Sequence, residues 1–167
     1  FVGQVIATDP DAGQSLQYTI TDGNSDSLFT IDSATGEIRI AQSASLDHES
    51  QAQWNLTIGV ADDAEPSLDT QATVTIDVTD VNEGPSDLSL DGNSVAENDA
   101  GATVGTLSSF DPDAGDTVTY TVSDDRFEVV DGEVRLVDGV SLNHEEAASI
   151  ELTVTATDSG GLSTEET

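Results

Sequence analysis

Cysteine and methionine are both absent from the 167 residues, so no disulfide can staple the fold and no thiolate can ligate a metal or attack a substrate. Without cysteine the redox compartment is not legible either. Basic residues are nearly missing: three, all arginine, stand against 34 Asp and Glu, for a formal net charge of -31. Binding to phosphate backbones or anionic lipid is driven by Lys and Arg, so neither nucleic acid nor direct membrane insertion is expected. No apolar run reaches the roughly 20 residues that span a bilayer. No secretory leader pattern opens the chain, so an exported protein would contain this sequence as part of something longer. No segment shows a convincing helical period.

Strict alternation is what the chain does have. Leu16-Gln-Tyr18-Thr-Ile20, Val74-Thr-Ile76-Asp-Val78, Val118-Thr-Tyr120-Thr-Val122 and Leu152-Thr-Val154-Thr-Ala156 each put apolar residues on one face and threonine on the other. Hairpins are expected around Thr35-Gly36 and around Asp131-Gly132, the second because Asp-Gly accepts the positive φ that tight turns demand. Such an acidic chain could be read as disordered. The regular alternation and placed turn residues argue instead for folded antiparallel sandwiches whose charges repel without counterions.

The sequence is also a tandem repeat. Asp9-Pro10-Asp11-Ala12-Gly13 recurs as Asp111-Pro112-Asp113-Ala114-Gly115, and Leu46-Asp47-His48-Glu49 recurs as Leu142-Asn143-His144-Glu145. The copies lie about a hundred residues apart, a length that suits one small sandwich per copy. The expected division is residues 1–83 and 84–167, joined by the acidic string Asp80-Val81-Asn82-Glu83-Gly84-Pro85. Strands are expected near 1–7, 16–21, 28–32, 37–41, 54–61 and 71–79 in the first unit. Those of the second fall near 87–96, 103–109, 117–122, 126–130, 133–137 and 150–157. By that count the first unit lacks an opening strand and the second a closing strand.

These motifs, in this order, resemble the cadherin repeat family, in particular the acidic bacterial repeats of large secreted adhesins. The string at 80–85 resembles the family's inter-repeat linker Asp-x-Asn-Asp-Asn-x-Pro. Val95-Ala96-Glu97-Asn98 resembles its first-strand x-Glu-Asn, and the two DPDAG copies resemble its Asp-x-Asp. Leu46-Asp47-His48-Glu49 resembles Leu-Asp-Arg-Glu, and Ala156-Thr157-Asp158 resembles Ala-x-Asp. The resemblance implies an all-β architecture of two tandem, Ig-like Greek-key sandwiches in an extracellular or cell-surface protein. It further implies calcium at the junction, held by Asp47 and Glu49, by Asn82 and Glu83 with the carbonyls of Val81 and Gly84, and by Asp111, Asp113 and Asp158. Asp9, Asp11 and Asp62 would form one incomplete half-site, and Glu97, Asn143 and Glu145 another.

The chemistry of the residues agrees with that implication. Calcium takes six to eight oxygens in a flexible shell, whereas magnesium demands a tight octahedron and keeps its waters. Asp47, Glu49, Glu83, Asp111, Asp113 and Asp158 carry six negative charges. Each pair of such charges about 5 Å apart repels by roughly 3 kcal/mol at an effective dielectric near 20. Departures from the family pattern are visible: Glu83 replaces Asp, Gly84 replaces Asn and can offer only backbone, and Asn143 replaces Asp.

The function expected from this set is adhesion, with calcium stiffening the inter-repeat junction. Its partners would be calcium, neighbouring repeats of the same chain, and a cell-surface protein or polysaccharide, with homophilic contact left open. The rival is a calcium-dependent carbohydrate-binding module of a secreted polysaccharide-degrading or polysaccharide-attaching protein. An enzyme is not expected, since no Ser-His-Asp order or phosphate-cradling glycine loop stands out, and two small sandwiches offer no obvious cleft for a carboxylate pair. His48 and His144 neighbour carboxylates and not other soft ligands, which argues against a transition metal. Trp54, the sole tryptophan, is expected in the core, with sugar stacking as its other role.

Overall fold

The computed structural model describes every residue except Ala12, Glu65 and Pro66. The chain divides into two units, Phe1–Val81 and Asn82–Thr167, and no helix forms among the described residues. The boundary lies two residues ahead of the expected one because Asn82 and Glu83 hydrogen-bond into the second unit, to Asp158 and Asp113.

In the first unit the strands are β1 (Gly3–Gln4), β2 (Gln17–Asp22), β3 (Phe29–Ile31), β4 (Glu37–Ile40), β5 (Gln53–Ala61) and β6 (Asp69–Asp77). They form two antiparallel sheets, ordered β1-β4-β3 and β2-β5-β6. Tyr18, Phe29, Ile38, Leu56, Ile58, Val60 and Ile76 come from both sheets into one buried cluster, which is what makes the pair a sandwich. The longest ladder runs from Gln53 opposite Asp77 to Ala61 opposite Asp69. Its alternation works as expected: Trp54, Leu56, Ile58 and Val60 take the inner face while Thr73 and Thr75 stay exposed. Trp54 is half-buried and meets Phe29 edge to face with ring centres 5.8 Å apart, the core role rather than an open sugar platform.

The second unit holds β7 (Ser86–Leu90), β8 (Thr103–Phe110), β9 (Thr119–Val122), β10 (Phe127–Val130), β11 (Glu133–Leu136), β12 (Val154–Thr157) and β13 (Ser163–Glu166). The sheets are β10-β11-β8-β7 and β13-β12-β9, so the chain crosses between sheets three times, the Greek-key pattern of Ig-like sandwiches. Leu88, Leu107, Phe127, Val134, Leu136, Val154 and Ala156 form its core. β7 has no counterpart among the described residues of the first unit. β13 was not anticipated: four residues pair with β12 where β6 in the first unit uses nine. Its sequence Ser-Thr-Glu-Glu has no apolar alternation, so periodicity could not find it.

Both hairpins sit where the turn residues put them. Asp131 and Gly132 have φ of 51° and 82°, the double positive values of a two-residue turn between β10 and β11. In the first unit Asp32 accepts hydrogen bonds from the N–H groups of Ala34 and Thr35, and Gly36 closes the turn at φ 72°. A Cβ at Gly36 would strike the carbonyl oxygen of Val5 and come 3.2 Å from the Tyr18 ring. Gly36→Ala should therefore destabilise the first unit by at least about 1–2 kcal/mol, the left-handed penalty before any clash. Denaturant unfolding followed by Trp54 fluorescence will measure it, and an unchanged midpoint would contradict this packing.

Candidate metal centre

In the first unit the loop between β4 and β5 carries Asp47, His48 and Glu49. Asp47 accepts the Ser50 N–H at 3.0 Å and its hydroxyl at 2.9 Å, and these donors, the N–H foremost, hold its carboxyl below the usual range. The imidazole Nδ1 of His48 lies 2.8 Å from Glu49 Oε1 and 3.7 Å from Asp80 Oδ1. One ligand atom each from His48, Glu49 and Asp80 lie within 4.8 Å of one another. Asp80 was part of the linker string but not among the expected ligands. The Val81 side chain is exposed, which suits a residue expected to offer only its carbonyl.

The first unit's half-site is less gathered. Asp9 accepts the N–H of Asp11 at 2.7 Å, while buried Asp62 accepts those of Ala64 and Leu68. Asp9, Asp11 and Asp62 form no cluster of metal-ligand dimensions among the described residues. Ala12 of that motif lies outside the described residues.

In the second unit two loops converge, one after β8 and one after β12. Asp158 is buried, accepting the Asn82 side-chain amide at 2.8 Å and the Leu162 N–H at 2.8 Å. Burial pushes its carboxyl upward, but the Asn82 amide and the N–H groups of Leu162, Gly161 and Gly160 outweigh this and hold it below the usual range. Asp113 Oδ2 accepts the Glu83 N–H at 2.8 Å, and Asp111 Oδ1 accepts the Asp113 N–H at 3.0 Å. Gly84 packs near Leu162, where a Cβ would stand 3.2 Å from that side chain. So linker residues 82–84 dock onto the two acidic loops through backbone and amide contacts. Glu97, Asn143 and Glu145 are drawn near one another because Asn98 donates to the Leu142 carbonyl and His144 to Glu97 Oε2. They form no tight carboxylate cluster among the described residues.

Gly160 makes the Asn82 contact possible, since a Cβ there would overlap the Asn82 amide. Gly160→Ala should displace that amide and raise the pH at which Asp158 titrates. The sign follows from the depressed carboxyl: its contribution to stability is present above the unfolded-state pKa near 3.9 and is lost as pH falls through the lower folded value. NMR titration of the Asp158 side-chain carboxyl in chelator reads the change, and an identical midpoint in the variant would refute the assigned role of Asn82.

Asp116 is the residue that motif matching missed. One carboxylate oxygen each from Asp111, Asp113 and Asp116 lie within 4.8 Å of one another. Asp111 Oδ2 and Asp116 Oδ2 are buried with no hydrogen-bond donor. Two anionic oxygens removed from water without a donor are costly unless a cation accompanies them. Hard oxygen donors with no nitrogen or sulfur among them suit calcium. The residues present therefore fit the metal.

The family model for the cadherin domain matches residues 1–79. Protocadherin Fat 4 of Mus musculus is 34% identical over 164 residues, 93% of this chain, which carries the likeness through the second unit. The chain belongs to the cadherin repeat family. Cadherin-18 of Bos taurus is 37% identical over 116 residues, 67% of this chain. The chain spans only 3% and 14% of the lengths of these two relatives. Among solved structures, mouse Cadherin-23 EC22-24 superposes with a TM-score of 0.75 over 98% of this chain and 55% of that one; at 22% identity the likeness concerns the fold. A protocadherin gammaB7 EC3-6 cis-dimer structure gives a TM-score of 0.68 at 26% identity, covering 95% of this chain and 39% of that one. The acidic loops of the second cadherin repeat stand where its Asp-x-Asp and Ala-x-Asp motifs lie.

Proposed function

We propose that this chain is a pair of calcium-binding cadherin repeats from an extracellular adhesion protein. The observation that carries the reading is the pair of buried, donorless oxygens of Asp111 and Asp116 beside Asp113, in loops that also hold Asp158. Asp111, Asp113 and Asp158 would supply carboxylates in the second unit, with Asn82, Glu83 and the Gly84 carbonyl from the linker. Asp47, Glu49 and the Val81 carbonyl would supply oxygens from the first. Calcium, when bound, supplies positive charge that cancels the repulsion among these groups and restrains the linker. The chain then works as a stiff spacer or recognition segment in cell-cell or cell-surface adhesion. The cis-dimer described for protocadherin gammaB7 makes a second cadherin chain the partner to test first, by sedimentation with and without calcium.

Calorimetric titration with calcium tests the metal. Asp113→Asn should weaken binding by about tenfold or more, since ligand charge count sets affinity in such sites. Its circular dichroism should match the parent. Equal affinities would remove Asp113 from the ligand set, and no heat in the parent would overturn the calcium reading.

A further inference from the structure

We propose that the outer face of the β2-β5-β6 sheet is where a second copy of this chain docks, sheet against sheet. The inference rests on the reading above of a second cadherin chain as the partner, and it names the surface. That face is built from registered rows. Thr19 stands opposite Gly59 and Gly59 opposite Gln71, Thr57 stands opposite Thr73, and Asn55 opposite Thr75. None of these residues carries an ionisable group, although 34 of the 167 residues are acidic. The carboxylates of the sheet sit at strand ends, Asp22 closing β2 and Asp69 and Asp77 bounding β6. Two chains that each carry -31 repel wherever their carboxylates approach, so contact between copies selects a surface without them.

The other three sheet faces are charged. In the first unit β4 carries Glu37 and Arg39 outward, paired at 2.7 Å. In the second unit Glu128 and Arg135 pair at 2.8 Å across β10 and β11, and Glu165 stands on β13, where the Thr155 hydroxyl meets it at 3.2 Å. Of the four outer faces, only that of β2-β5-β6 has interior rows without charge among the described residues.

The surface is also prepared for burial. Thr21 Oγ1 donates to the Thr57 carbonyl at 3.2 Å and Thr75 Oγ1 to Asn55 Oδ1 at 2.8 Å, so covering the face leaves those hydroxyls paired. A Cβ at Gly59 would stand 3.0 Å from Thr21 Cγ2 and 3.2 Å from Thr19 Oγ1, so the two β2 threonines already fill the place of the missing side chain. The centre of the face is level, as stacking of two sheets about 10 Å apart requires. Three strands about 4.8 Å apart, with nine residues of β5 at about 3.3 Å each, make a face of roughly 400 Å². That is about half of what each partner gives to a stable complex, so one contact is weak and tandem repeats multiply it.

Sedimentation equilibrium of the full chain in calcium, at matched ionic strength, compares the parent with Thr73→Glu and Thr30→Glu. The two variants make one and the same charge change on the two outer faces of one sandwich, since Thr30 is exposed on β3. Self-association should weaken about tenfold or more in Thr73→Glu, which sets a carboxylate in the middle of the face in each copy, and stay within about twofold of the parent in Thr30→Glu. Equal losses in both variants would mean general charge repulsion and overturn the surface assignment, as would parent-like association of Thr73→Glu; either result leaves the second-chain reading standing. A parent that stays monomeric at millimolar concentration in calcium removes that reading and the surface with it. Should Thr73→Glu fold poorly by circular dichroism, backbone NMR of the parent decides: shifts that depend on concentration should centre on Thr57, Thr73 and Thr75, and shifts centred elsewhere overturn the assignment.

Discussion

Withdrawing calcium with a chelator should lower the melting temperature by about 6 to 20 °C for each site emptied. Free ion at ten to a hundred times its dissociation constant stabilises a folded site by about 1.4 to 2.7 kcal/mol. One kcal/mol moves the midpoint of a domain this size by about 4–8 °C. The net charge of -31 adds a second effect of the same sign, because any salt screens the general repulsion. The two separate at matched ionic strength. Sodium chloride should recover only the diffuse part, leaving a calcium-specific gap in scanning calorimetry. If sodium chloride closes that gap, calcium acts as a counterion cloud and the clustered carboxylates of Asp111, Asp113 and Asp116 have no special place.

Leu56→Ala should destabilise the first unit by about 2–5 kcal/mol, the cost of lost burial plus the cavity left behind. Leu56 has no exposed surface and stands at the middle of β5, between both sheets. Trp54, the only tryptophan, belongs to the same core, so its fluorescence reports this unit by itself. The fluorescence midpoint should fall by at least about 8 °C. Thr73→Ala, on the exposed face of β6 and directly opposite Thr57, should stay within about 0.5 kcal/mol of the parent. A Leu56→Ala midpoint as high as that of Thr73→Ala would mean the core has been misplaced.

The strands were legible where one face is buried and the other wet. Val74-Thr-Ile76 and Tyr18-Thr-Ile20 could be placed because period-two alternation is the direct imprint of a half-buried sheet. The turn at Asp131-Gly132 could be placed because few residues tolerate two successive positive φ values. β1 and β13 resisted for opposite reasons. Residues 1–7 are apolar over a longer stretch than the ladder they form: Gly3 and Gln4 pair with β4, while Val2 adds a hydrogen bond to the Ile38 carbonyl and Val5 one to that of Gly36. β13 pairs without alternating, because its exposed edge residues Ser163, Glu165 and Glu166 have no core to reach.

Asp111, Asp113 and Asp158 could be named from motifs whose residues recur in a fixed order. Asp116 and Asp80 could not, and the reason is geometric. Asp116 breaks the internal repeat, since its counterpart is Gln14, so it belongs to no motif that the two copies share. Its relevance depends on one oxygen being held by Ser159 while the other is buried without a donor, a property of side-chain direction that carries no trace in residue order.

What the sequence by itself determined was the all-β class, the two-repeat organisation and the acidic chemistry, because alternation, turn residues and charge are local properties written one residue at a time. What only the tertiary structure decided was which carboxylates share a point in space. Loops after β8 and β12 meet there because β9 and β12 lie side by side in one sheet while β8 lies in the other. Convergence of that kind depends on how strands pair across long separations, and no short string of residues encodes it.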